Sequence, residues 1–149
     1  MHIPVPWAIA LAVAGATAVV VALGIATHRS AAAAPERVLA HLSHLLGGGL
    51  SGFTALAFPP AWPLVAAIGG MLTMRAVQAG RSADLGLLLA GFGAAWTLLL
   101  GSAILADLSD PAIHGPDQAG WLLFGSAVLV AGLVLLIADT LVGGGQPGS

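Results

Sequence analysis

Two histidines three residues apart, His41 and His44, stand in a stretch without a charged side chain from Val38 to Phe58. At that spacing on a helix they share one face. Neutral imidazole nitrogens are good ligands for zinc, copper, nickel, cobalt or haem iron. His28 lies a short way upstream, so His28, His41 and His44 are the candidate metal ligands, and His2 offers a further nitrogen near the amino terminus. Residues three apart on one helix cannot both be axial ligands of one haem iron, so His28 would have to supply the second. The competing reading has these imidazoles bonding only carbonyls or water, with no cofactor bound.

The acidic residues add little that could react. Asp84 and Asp139 lie in apolar surroundings and could pair with Arg75 or Arg81, while Asp107, Asp110 and Asp117 gather with His114 in one connection. No Ser/His/Asp set stands at a recognisable spacing, no phosphate-cradling loop is present, and no carboxylate pair is placed for acid–base work. The absence of cysteine excludes disulfides, thiol nucleophiles and zinc–thiolate sites. With no lysine and four arginines (Arg29, Arg37, Arg75, Arg81), a basic nucleic-acid face is out of reach. These residues point to a non-enzymatic protein.

The elements that position them follow from composition. The 149 residues are 58% hydrophobic and 7% charged, with a mean hydropathy of +1.01. A soluble domain carries roughly 25% charged residues, so this chain cannot cover a water-facing surface. It reads as an all-α integral membrane protein. The abundance of Gly, Ala and Leu is what a GC-rich bacterial genome encodes, which places it in a bacterial cytoplasmic (inner) membrane. About 20 apolar residues cross a bilayer core of roughly 30 Å. Spans are expected at about 5–27, 61–79, 83–106 and 120–141, and the stretch 38–58 decides between four and five.

If 38–58 is a loop, Arg29 and Arg37 fall on one side of the membrane and Arg75 and Arg81 on the other. If it crosses, both pairs share a side, as basic residues do on the cytoplasmic face, and Trp7, Trp62 and Trp121 share the opposite interface. The arginines and the tryptophans independently favour five helices, with four as the alternative, the amino terminus outside and the carboxyl terminus inside. Pro35 suits a first helical position and Glu36 the positive end of the helix dipole, while "FPPAWP" ends one helix and starts the next. Gly48 and Gly52 form a GxxxG pair, echoed by Gly47 and Ser51, through which two helix backbones can approach closely. Residues 1–142 then form one helical domain, and 143–149 a flexible tail. Ala31–Ala34 has the small residues of a signal cleavage site, but the segment before it lacks basic residues and is longer than a signal core, so retention is expected.

Two resemblances add to this. The run "ERVLAHLSHLL" is similar to the helix start of uncharacterised small multi-pass membrane proteins of actinobacteria, although their later Met- and His-rich segments are missing here. "MHIP" together with "SHLLGGGL" resembles the substrate-binding membrane component of cobalt and nickel uptake transporters. That resemblance implies a metal held by the amine of Met1, by His2 and by His44. The expected function is that of an accessory or structural subunit, packing against other membrane proteins or its own copies in the lipid bilayer. The alternative is a metal-handling or transport component.

Overall fold

The computed structural model describes residues 35–107 and 118–143, together with Gly15 and Thr17. Among these the chain is all-helical, with four helices: α1 (Pro35–Ala57), α2 (Trp62–Gln78), α3 (Ser82–Asp107) and α4 (Gln118–Gly143). Each of the expected spans 38–58, 61–79, 83–106 and 120–141 falls on one of them. Of 5–27, Gly15 and Thr17 are helical; its other residues, and the tail beyond Gly143, lie outside the described residues. Two stretches, Ser82–Ile104 and Gly120–Val142, are long and apolar enough to cross a membrane. α1 has 23 residues, but its two histidines and its glycines dilute its hydropathy. α2 has 17 residues and rises about 25 Å, less than a bilayer core.

The loop alternative for the Gly47–Gly49 stretch is excluded, because α1 runs through it unbroken. Glycine in a helix interior costs about 1 kcal/mol relative to alanine, and here close packing offsets that cost. A Cβ on Gly48 would lie 2.1 Å from the carbonyl oxygen of Leu88, and one on Gly52 would lie 2.8 Å from that of Phe92. Gly91 of α3 answers from the other side, where a Cβ would meet the Leu45 oxygen at 2.2 Å. Residue 41 meets 84, 48 meets 88 and 52 meets 92, so α1 and α3 run parallel. The α3–α4 contact is antiparallel and equally close: a Cβ on Gly93 would approach the Leu129 nitrogen to 2.4 Å, and one on Gly132 the Ala90 nitrogen to 2.5 Å.

α2 makes the parallel pairing of α1 and α3 possible. Phe58 and Ala61 close a tight turn around Pro59–Ala61, and a proline in the first turn of α2 starts the return. At its far end Gly80 adopts φ +63°. The Gly80 N–H donates to the Val77 oxygen and the Arg81 N–H to the Ala76 oxygen. This is the Schellman closure, which needs a left-handed residue and so favours glycine. α3 starts two residues later.

α3 is the central helix. α1 covers one side and α4 the opposite side, with Leu45, Leu87 and Leu136 forming one core cluster and Ala90, Ala94 and Leu129 another. Buried Gly15 reaches the α3–α4 seam, where a Cβ would stand 3.4 Å from Thr97 Cγ2. α2 is held more lightly, burying Val65 and Ala76. The two ends of the bundle differ in chemistry. At one, buried Trp96 is ringed by Trp62, Phe92, Trp121 and Phe124, with centroids 5.2–6.3 Å away. At the other are Arg37, Arg75, Arg81, both histidines of α1, Asp84 and Asp139, because the helices that carry them begin or end there.

Candidate functional site

The chemistry of the described residues concentrates on one carboxylate. Asp84 sits in the first turn of α3, where the helix dipole favours negative charge, and its side chain is 2% exposed. Arg81 precedes it by three residues and brings its Nε to 2.9 Å from Asp84 Oδ2. From α1, His41 Nδ1 donates to Asp84 Oδ1 at 2.8 Å. His44 Nδ1 stands 4.0 Å from Oδ2 and donates instead to its own helix, to the Ala40 oxygen at 2.8 Å. Beside this set Ser82 donates to Asp139 Oδ1, which ties the start of α3 to the end of α4.

The parallel run of α1 and α3 builds this cluster. Both helices place their first two turns at the same end, so residues 43 positions apart in sequence become neighbours. A buried carboxylate is costly unless paired and hydrogen-bonded, and here one guanidinium and one imidazole satisfy it. Because carbonyl and carboxylate oxygens can only accept, both imidazoles carry their proton on Nδ1 when neutral. Their Nε2 atoms then present lone pairs. Nε2 of His44 is buried and has no hydrogen-bond partner. A ring oriented through one nitrogen with the other left free is the arrangement that holds a metal-ligating histidine. It is equally the arrangement of an imidazole poised to accept a proton.

Of the expected ligands, His41 and His44 are brought to one level beside Asp84, but only His41 bonds it, and His44 bonds its own helix. Among the described residues no group of three His, Cys, Asp or Glu side chains could hold a metal ion. His28, His2 and His114 lie outside the described residues. The expectation that Asp84 pairs with Arg75 or Arg81 resolves to Arg81, and Asp139 meets Ser82. The role of Asp84 as the partner of His41 across the two helices was missed by the sequence reading. The signal was present: in a five-helix alternation the starts of the second and fourth helices share a side, which places His41, His44 and Asp84 at one level. Gly48 and Gly52 do pack helices closely, and the helix they approach is α3 of the same chain. No protein-family model, no curated protein and no solved structure matches the chain.

Proposed function

We propose that this chain is a non-enzymatic accessory subunit of a larger membrane complex, crossing a bacterial inner membrane five times with its amino terminus outside. Arg37, Arg75 and Arg81 share one end of the bundle, and Trp62 and Trp121 the other, which supports the inside and outside ends of that topology. The observation that carries the subunit reading is the state of α2. The close glycine faces of α1, α3 and α4 are filled within the chain, so they leave little for a partner. α2 buries two of its 17 residues and turns Leu64, Ile68, Met71 and Met74 outward. Unbranched methionines adapt to the shape of whatever they meet, and a helix held this lightly by its own chain is completed by another.

The test is co-purification from native membranes. Ala67 is exposed at the centre of the outward face, so Ala67→Trp leaves the isolated fold intact. The expected result is a stoichiometric membrane-protein partner with the wild type and its loss with Ala67→Trp at unchanged melting temperature. A wild type that purifies alone and monomeric from mild detergent rules the subunit reading out.

The unpartnered Nε2 of buried His44 favours a second reading, a metal-handling or transport component. Elemental analysis of the wild type distinguishes the two. One equivalent of nickel, cobalt or copper, or a haem spectrum, lost in both His41→Ala and His44→Ala, would establish this second reading.

A further inference from the structure

The four described helices leave a space unfilled between them. A cavity of about 320 Å³ opens along the seam of α2, lined by residues of α1, α2, α3 and α4, at the small end of the range of ligand pockets. An apolar cavity of about 150 Å³ is enough to hold benzene, so this one has room for roughly two rings. A side chain added at Gly69 or Gly70, both in its wall, would meet nothing within 4 Å, in contrast to the tight glycine contacts of α1, α3 and α4. Trp62, Phe92 and Phe124 bring aromatic rings to the wall, and Gly48, Gly69 and Gly70 leave bare backbone beside them. No lining side chain is charged, so the cavity offers nothing to an ion. Its surfaces suit a neutral planar ring, which packs on aromatic neighbours in offset or edge-to-face contact.

One group in this wall breaks the pattern of the rest of the molecule. A hydroxyl inside a helix ordinarily bonds the carbonyl one turn back, and Thr54, Thr73, Thr97 and Ser126 all do so. Ser51 of α1 is 9% exposed and lines the cavity, yet it alone among the described serines and threonines has no hydrogen bond. Thr73, the other hydroxyl of the wall, is committed to the Gly69 oxygen. A buried donor without a partner is unfavourable, and a bound acceptor relieves it.

We propose that this cavity binds one neutral, planar aromatic molecule of about two rings whose carbonyl oxygen accepts a hydrogen bond from Ser51. The rings fill the space beside Gly69 and Gly70 and lie against Phe92 and Phe124. One free hydroxyl satisfies one acceptor, and a ligand with further polar groups would bury them unpaired. The site is separate from the outward face of α2 and from the cluster around Asp84, since no residue of either lines it.

The test titrates the full chain in lipid nanodiscs with 2-acetylnaphthalene while tryptophan emission is followed. Trp62 lines the cavity and the Trp96 ring stands 6.3 Å from it, so an aryl ketone bound there quenches both. Quenching that saturates at one equivalent per chain is expected, above a linear background from partition into lipid. Ser51→Ala weakens the ketone about fivefold, the effect of one neutral hydrogen bond. It leaves unchanged the binding of 2-ethylnaphthalene, which has a similar shape and no carbonyl. Gly69→Leu fills the space and abolishes binding of both compounds at unchanged melting temperature. Quenching by the wild type that stays linear, as in a seam filled by lipid acyl chains, would overturn the site. So would equal effects of Ser51→Ala on the two compounds, or saturable quenching undiminished in Gly69→Leu. A Gly69→Leu chain that fails to fold leaves the comparison of the two compounds in Ser51→Ala to decide.

Discussion

Adjacent glycines in α1 offer a controlled measurement of what the helix crossing contributes. A Cβ at Gly48 falls 2.1 Å from the Leu88 oxygen and 2.9 Å from its carbonyl carbon. Non-bonded carbon and oxygen keep roughly 3.3 Å apart, so Gly48→Ala must open the α1–α3 contact by about 1.2 Å. The atoms it strikes are backbone and cannot rotate away. A gap of 0.5–1 Å already forfeits about a quarter to a half of each dispersion contact, and overpacking of this kind costs about 1–3 kcal/mol. Alanine returns about 1 kcal/mol of helix propensity, leaving a net loss of about 2 kcal/mol at the upper end of that range. At Gly49 the nearest foreign atom is the Gly91 oxygen at 3.8 Å, an ordinary contact, so Gly49→Ala keeps the propensity gain and is neutral or stabilising by up to about 1 kcal/mol. Reversible unfolding of purified variants in mixed micelles, followed by circular dichroism, reads both. Gly91→Ala strikes the same crossing from α3, so the Gly48→Ala/Gly91→Ala pair should cost less than the sum of its singles. Equal stabilities for Gly48→Ala and Gly49→Ala would refute the proposed crossing geometry.

Asp84→Ala removes the acceptor shared by Arg81 and His41 and should cost about 3 kcal/mol, with Asp84→Asn about half as costly, in the same unfolding assay. His44→Leu removes a buried nitrogen without a partner, a burden of about 1–3 kcal/mol, so the metal-free protein should be as stable as the wild type or more so; a large loss would show that His44 Nε2 is satisfied in the membrane. Reporters active on only one side of the membrane, fused near Ala33 and near Gly80, should both report the cytoplasm, while one fused near Pro116 reports the outside; opposite results at the first two would remove the five-span topology.

Much of the architecture was legible in the chain because it depends on local sums. The apolar runs at 61–79, 83–106 and 120–141 each exceed what a short core element needs, and each is one helix. "FPPAWP" and Gly80 punctuate the chain for reasons held within a few residues: fixed proline φ at one, a left-handed glycine at the other. Even the helicity of the Gly47–Gly49 stretch followed from requiring the arginines to share a side. Tertiary structure decided what each polar and small residue meets. Spacing places His41 and His44 on one face, but it cannot say that one imidazole finds Asp84 and the other its own backbone. The GxxxG pattern of Gly48 and Gly52 says that two backbones meet; which helix supplies the second depends on α2 being short and tightly turned, so that α3 returns parallel to α1. The open seam beside Gly69 and Gly70 was not legible at all. An unfilled volume belongs to no residue; residues of all four described helices line this one, and it stays open where α2 presents Ala66, Gly69 and Gly70 to it.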